Sequence, residues 1–113
     1  QLRALVQVCA ETGVRAIVAT NTLPQPAPEP ENVNAGVGGG RLHMQAVAVA
    51  ALLKREIAAH DLPLDVIGCG GVETAETYQD FLRIDVCAVQ YWSALVFQGP
   101  LAAALLVRHA RAS

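Results

Sequence analysis

Three short segments of polar or glycine residues each follow an apolar run in this sequence. They are Thr20-Asn21-Thr22, Gly70-Gly71 and Tyr91-Trp92-Ser93. The first offers hydroxyls and an amide, and the second allows the backbone to approach a ligand closely. The third adds aromatic rings and a small hydroxyl. Backbone N–H groups of a glycine turn before a helix can hold a phosphate without Lys or Arg. Together these residues are typical of a site for a phosphate joined to a planar polar ring.

The elements that must position these segments are buried strands alternating with helices. Apolar runs predict strands at 14–20, 64–69 and 86–91, and periodic apolar residues predict helices at 2–12, 42–60, 74–83 and 101–111. This order, with right-handed crossovers, indicates an α/β fold with about three parallel strands, each covered on both faces. The carboxyl ends of parallel strands lie at one edge of a sheet, so we expect the three segments to meet there.

Capping residues predict where the helices begin and end. Gly13 stands where the first helix needs a left-handed cap, Thr74 can cap the third helix with Glu76 in its first turn, and Pro100 opens the last. One apolar face marks the second helix, and its residues are Leu42, Ala46, Val49, Leu53 and Ile57.

Residues 21–40 are predicted to form a long loop. Prolines occupy positions 24, 26, 28 and 30, and glycines occupy positions 36, 38, 39 and 40. The glycine run precedes a helix, so it either cradles an anion or acts as a hinge after the proline-rich loop. It is not a P-loop, because no Lys-Ser or Lys-Thr follows. Gly70-Gly71 taken alone also has a simpler explanation, a tight strand-to-helix turn.

Composition limits the class of protein. The chain has 113 residues, of which 53% are hydrophobic and 16% are charged, and its formal net charge is -2. This excludes a disordered chain and makes nucleic acid an unexpected partner. We expect one soluble domain over residues 1–113. Because a complete (β/α)8 barrel needs about 250 residues, the chain fits part of a barrel, and its start at Gln1 suggests a piece of a longer protein.

The cysteines and histidines do not suggest a metal site. Cys9, Cys69 and Cys87 have no metal-ligand spacing and are predicted to be reduced, buried thiols, so Cys69 is interpreted as a core filler rather than a catalytic base. His43, His60 and His109 lie at helix ends without a ligand pattern. Gln90 is expected to pack inside a barrel or to approach a cofactor.

Four motifs resemble the C-terminal part of the dihydroorotate dehydrogenases, over about Val14 to Leu106. The motifs are Ala19-Thr20-Asn21-Thr22, the glycine-rich run before the long helix, Ile67-Gly68-Cys69-Gly70-Gly71-Val72, and Val89-Gln90-Tyr91-Trp92-Ser93-Ala94-Leu95-Val96-Phe97-Gln98-Gly99-Pro100. The ending of the last motif is closer to the quinone-dependent class. Two departures stand out: Gly36-Val37-Gly38-Gly39-Gly40 replaces the family's Gly-Gly-Leu-Ser-Gly, and Trp92-Ser93 replaces Tyr-Thr.

The resemblance implies an FMN-dependent (β/α)8 barrel of which this chain supplies the last three strand-helix units. The implied cofactor-binding residues are Thr20, Gly39, Gly70, Gly71, Trp92 and Ser93, and the implied substrate-binding residues are Asn21 and Thr22. The family's proton-abstracting Ser or Cys and its Lys lie in segments that this chain does not contain. No catalytic residue is therefore assigned here, and the fragment alone is expected to be inactive.

The implied function is oxidation of dihydroorotate to orotate in pyrimidine (UMP) biosynthesis, with quinone as electron acceptor. The implied location is cytoplasmic, or peripheral to the cytoplasmic or inner membrane in the full-length protein. Two alternatives remain. One keeps the phosphate site but changes the substrate to another planar ring or a sugar phosphate. The other is a non-catalytic half-barrel that binds phosphate or flavin and needs a partner or a second copy.

Overall fold

The structure, a computed structural model, describes residues 1–26 and 34–112. Its strands are β1 (Ala16–Ala19), β2 (Leu23–Pro26), β3 (Asn34–Val37), β4 (Asp65–Cys69) and β5 (Ala88–Gln90). Its helices are α1 (Leu2–Glu11), α2 (His43–Ala59), α3 (Ala75–Arg83), α4 (Ser93–Gln98) and α5 (Ala102–Ala112), and a 3-10 turn at Gly40–Leu42 leads into α2. None of these described helices is both long and apolar enough to cross a membrane.

The main sheet has three parallel strands in the order β1-β4-β5. Ala19 lies beside Gly68 in the register, and Cys69 lies beside Gln90. This arrangement confirms the predicted α/β class, with parallel strands separated by helices. β1 and β5 are shorter than the predicted strands at 14–20 and 86–91.

Only one face of the main sheet is well covered, which contradicts the prediction that helices cover both faces. Val66 and Ala19 on the covered face are buried in the core beside α2. The opposite face, which we call the open face, carries Val18, Ile67, Ala88 and Gln90. Val18, Ala88 and Gln90 are exposed there, so Gln90 does not pack inside the described part of the chain.

The core consists of small and branched side chains, as the composition predicts. Four residues of the predicted apolar face, Leu42, Ala46, Leu53 and Ile57, are buried, and Val49 is half-buried. Phe81 is the largest fully buried side chain among the described residues. It packs so closely on β4 that a Cβ added at Gly68 would overlap the Phe81 ring.

Helix ends follow the predicted capping residues. Gly13 has a φ of +81°, the left-handed conformation expected after α1. Thr74 is the N-cap of α3 and forms a reciprocal capping box with Thr77. Helix α5 begins at Ala102, just after Pro100.

The predicted loop at 21–40 is wrong in part, because β2 and β3 pair as an antiparallel ribbon with Leu23 beside Val37. Alternate residues of a strand direct their N–H groups to the same edge. Pro24 and Pro26 therefore remove donors from one edge only, and the other edge can still pair. The segment of the predicted loop at 27–33, including Pro28 and Pro30, lies outside the described residues.

Two further predictions need correction at the carboxyl end of the chain. Residues 93–98 form the short helix α4, which the sequence pattern did not predict. Cys87 is exposed rather than buried, because β5 begins only at Ala88 and Val86 fills the core instead. Cys9 and Cys69 are half-buried.

Candidate functional site

A cleft of about 220 Å³ opens at the carboxyl ends of the parallel strands. Its lining residues are Thr20, Asn21, Thr22, Gly38, Gly39, Leu42, Cys69, Gly70, Gly71, Val72, Tyr91, Trp92 and Ser93. The structure therefore brings together every residue that the sequence assigned to cofactor or substrate binding. Their individual roles remain predictions.

Thr20 extends the ladder between β1 and β4, and this pairing fixes its place in the cleft. Its N–H donates to the carbonyl oxygen of Cys69 at 2.6 Å. Among the described residues, its hydroxyl oxygen Oγ1 is buried without a hydrogen-bond partner. A buried polar group left without a partner costs about 1–3 kcal/mol. This hydroxyl therefore fits a ligand that supplies the missing hydrogen bond.

Gly39 and Gly71 bring two backbone segments into close contact at the cleft wall. Both have positive φ angles, +74° for Gly39 and +63° for Gly71. A Cβ added at Gly71 would lie 2.7 Å from the carbonyl oxygen of Gly39 and 3.0 Å from the backbone nitrogen of His43. A side chain at position 71 would therefore push the two segments apart. The absence of side chains at these two glycines leaves a wall of backbone on this side of the cleft.

Gly70 has a different reason to be glycine. It is buried, and a Cβ there would lie 2.5 Å from the Ala46 Cβ and 3.1 Å from Leu42 side-chain carbons. The packing of α2 against the end of β4 thus accounts for the missing side chain. Packing therefore explains Gly70, whereas the Gly71 position is closed by the other backbone segment of the cleft wall.

Asn21 is oriented by its own neighbour. The backbone N–H of Thr22 donates to Asn21 Oδ1 at 2.8 Å. This bond engages the amide oxygen, so the amide nitrogen remains as the donor of that side chain. Both residues are exposed at the cleft.

Glu73 is a charged residue beside the cleft lining that the sequence pattern does not predict as a site residue. Its Oε1 lies 3.2 Å from the position of a Cβ added at Gly39, and its Oε2 lies 3.3 Å from one added at Gly40. Its backbone is held by Thr77, whose hydroxyl accepts from the Glu73 N–H, and by Gln98, whose amide donates to the Glu73 carbonyl oxygen. The sequence signal that could have identified it is its position two residues after Gly70-Gly71.

Cys69 lines the cleft, but its chemistry does not favour proton abstraction. Burial raises the pKa of the Cys69 thiol above its ordinary value. The neutral thiol is therefore favoured over the reactive thiolate. This agrees with the interpretation of Cys69 as a filler rather than a base.

Comparison of the sequence with known proteins supports the resemblance that the motifs suggested. No family model matches the chain. The chain is 37% identical over 67 residues to dihydroorotate dehydrogenase (quinone) from Sinorhizobium medicae (strain WSM419). That match covers 59% of this chain and 18% of the relative. The resemblance to dihydroorotate dehydrogenases is thus confirmed over part of the sequence.

Solved structures show the same fold. The chain superposes on DHODH from Eimeria tenella in complex with ferulenol with a TM-score of 0.78 at 21% identity, covering 96% of this chain and 29% of that one. It superposes on the ligand-free type of DHODH from the same organism with a TM-score of 0.76 at 22% identity. This superposition covers 93% of this chain and 30% of that one. The chain thus spans less than a third of the length of these proteins.

Proposed function

We propose that this chain forms the FMN-phosphate site and part of the substrate site of an FMN-dependent dihydroorotate dehydrogenase, which oxidises dihydroorotate to orotate in de novo pyrimidine biosynthesis. The observation that carries the proposal is the convergence of Thr20, the glycines of two loops and Ser93 on one cleft. Sequence similarity to a quinone-linked dihydroorotate dehydrogenase supports the same assignment.

The residues of the cleft fit FMN in two respects. The buried hydroxyl of Thr20 lacks a partner that the polar flavin ring would supply. The close backbone contact between Gly39 and Gly71 provides a wall without side chains, where main-chain N–H groups would hold the phosphate. Ser93 begins α4 and would add a hydroxyl, and Trp92 would close the edge of the site.

The chemistry that bound FMN supplies is acceptance of a hydride from the dihydropyrimidine ring. The chain's own contribution is to bind and orient. The Asn21 amide nitrogen would donate to the pyrimidine or its carboxylate, and the Thr22 hydroxyl would add a second hydrogen bond. We further propose quinone as the acceptor, and a location in the cytoplasm or at the surface of the cytoplasmic or inner membrane.

Flavin binding by the purified protein tests the proposal, with Gly71→Ala compared to Gly13→Ala. Both glycines have positive φ angles, but a Cβ at Gly13 would meet nothing within 4 Å. Both variants should lose stability through the strained φ angle, and Gly71→Ala should lose more, because its Cβ also overlaps backbone atoms. Only Gly71→Ala should weaken FMN binding, by more than about tenfold, since its Cβ forces the loops apart. Fluorescence titration of FMN measures this difference.

The proposal fails if the protein made from its complete coding sequence binds no FMN, or if the two alanine variants bind FMN equally well. Assays with dihydroorotate and quinone, fumarate or NAD as acceptor then test the substrate and the acceptor. FMN binding without dihydroorotate oxidation would favour a different planar substrate.

The open face favours a second candidate, a flavin- or phosphate-binding half-barrel that is not catalytic and needs a partner or a second copy. Val18, Ala88 and Gln90 on that face are exposed, and β1 and β5 each have only one neighbour within the described sheet. FMN binding that appears only in an associated form, without dihydroorotate oxidation, would select this candidate.

A further inference from the structure

His43 is a buried polar residue that the proposed function does not yet use. It is 5% exposed and is the first residue of α2. Its Nδ1 lies 3.2 Å from the carbonyl oxygen of Gly70, and its Nε2 lies 3.0 Å from Asp80 Oδ2. Arg83 Nη1 donates to Asp80 Oδ1 at 2.6 Å, and the ring meets Phe81 edge-on at 5.6 Å. The imidazole thus connects the start of α2, the glycine turn and α3.

The chemistry of the two partners defines what the ring does. A carbonyl oxygen and a carboxylate both accept hydrogen bonds, so the ring acts toward each of them only as a donor. At Nδ1 the acceptor is the Gly70 carbonyl oxygen, and at Nε2 the acceptor is the Asp80 carboxylate. Charged groups that face this ring come from α3 and are Asp80 and, through it, Arg83.

The peptide that accepts from His43 lies between two glycines and would otherwise rotate at little cost. Gly70 and Gly71 have φ angles of +139° and +63°, and glycine backbone permits many alternatives. Because a peptide unit is planar and trans, the N–H of Gly71 points opposite to the carbonyl of Gly70. A bond that fixes the carbonyl toward His43 therefore also fixes the direction of the Gly71 N–H.

We infer that His43 is a positioning residue that holds the Gly70-Gly71 peptide so that the Gly71 N–H donates to the phosphate of the bound flavin. This inference rests on the proposed function and adds to it a residue outside the cleft lining. Asp80 holds the ring from the opposite side, and its pair with Arg83 orients the carboxylate. His43 acts on phosphate recognition and not on the flavin ring.

The test compares FMN with riboflavin, which lacks the phosphate, in matched variants. His43→Leu removes both hydrogen bonds, while His43→Asn places an amide nitrogen close to the position of Nδ1. In Asp80→Asn the new amide can donate to Nε2, so a neutral ring keeps its bond to Gly70. We expect His43→Leu to reduce the preference for FMN over riboflavin by about tenfold, the value of one hydrogen bond. His43→Asn and Asp80→Asn should retain most of that preference.

Each outcome supports or overturns the inference. Riboflavin affinity should be unchanged in all variants, and an equal loss of both flavins in His43→Leu would show a structural role only. An unchanged FMN preference in His43→Leu would overturn the role of His43 while leaving the proposed function intact. If the unaltered protein binds neither flavin, the proposed function fails and this inference with it.

A second measurement does not depend on flavin. In the unaltered protein, the Gly71 amide should give one sharp NMR signal, because its peptide is held in one orientation. In His43→Leu the signal should broaden or divide as the peptide rotates, and in His43→Asn it should sharpen again. A sharp, unshifted Gly71 signal in His43→Leu would overturn the inference.

Discussion

Thr20, a proposed binding residue, should lower the stability of the free protein. Its buried hydroxyl has no partner among the described residues, and the residue lines the cleft. Thr20→Val keeps the shape and removes the hydroxyl, so the free protein should become equally or more stable, by up to about 1–2 kcal/mol. FMN affinity should fall about tenfold, since the same hydroxyl is expected to bond the ligand. Urea unfolding without FMN and titration with FMN measure the two effects.

Thr20→Ser is the matched control, because it keeps the hydroxyl and removes only a methyl group. It should retain FMN affinity while losing some stability. If Thr20→Val loses stability and binds FMN normally, Thr20 is a packing residue rather than a ligand contact.

Glu73 should oppose phosphate binding. Its carboxylate lies beside Gly39 and Gly40, where the phosphate is proposed to sit, and two negative charges repel each other. Glu73→Gln should therefore strengthen FMN binding several-fold at low salt and leave riboflavin binding unchanged. Titrations with both flavins at two salt concentrations measure the effect, with Glu76→Gln on the exposed first turn of α3 as the control. Weaker FMN binding in Glu73→Gln would instead make Glu73 a ligand-orienting group.

At the residue scale, the sequence predicts groups that directly follow strands better than groups that reach the site from elsewhere. Thr20 and Ser93 follow apolar runs, so their place at one sheet edge follows from strand order alone. Glu73 and His43 were missed as site residues because their positions depend on how α3 and α2 pack around the glycine turn. That packing is a tertiary property, and the local sequence indicates only that Glu73 follows the glycine pair by two residues.

The N-cap of α3 should contribute to the stability of the protein. Thr74 accepts from the Thr77 N–H and forms a capping box, so Thr74→Ala should destabilise the protein by about 1 kcal/mol. Thr74→Ser, which keeps the hydroxyl, should lose much less. Urea unfolding at neutral pH measures both variants, and equal stability of Thr74→Ala and the unaltered protein would contradict the role of the cap.

Glu76 should make part of this stability dependent on pH. Hydrogen bonds from the Thr74 side chain and from its own backbone lower the pKa of the Glu76 carboxyl below its ordinary value of 4.5. A carboxyl whose pKa is lowered in the folded state stabilises the protein above the unfolded pKa, and this stabilisation is lost as pH falls through the folded pKa. Stability should therefore decline below about pH 4.5, and the decline should be smaller in Glu76→Gln. Urea unfolding of the unaltered protein and of Glu76→Gln from pH 7 to pH 3 measures this decline. Identical pH profiles for the two proteins would contradict the role of Glu76.

At the element scale, the regular helices and the parallel strands could be predicted because their apolar patterns are long or continuous. The ribbon of β2 and β3 could not, because prolines and glycines are typical of loops and its pairing joins residues on both sides of 27–33. Helix α4 spans six residues, too few to show a period of 3.6. The strands were predicted to be covered on both faces because an apolar run does not show whether a partner is present.

At the scale of the whole molecule, the open face and the two outer strands leave backbone and apolar groups accessible. β1 and β5 are the outer strands of the described sheet, and each offers an edge to another strand. Val18 lies on the open face of β1 and is 49% exposed. We therefore expect the 113-residue chain to associate as its concentration rises.

A charge on this face should reduce that association. Val18→Lys places an ammonium group on an outer strand, where it must lose water if a second strand pairs there. Leu82→Lys is the matched control, because Leu82 is 46% exposed but lies on α3 and not on the sheet. Sedimentation velocity over a range of concentrations should show less association for Val18→Lys and unchanged association for Leu82→Lys. If the unaltered chain stays monomeric throughout, or if both lysine variants reduce association equally, the open face at β1 is not the associating surface.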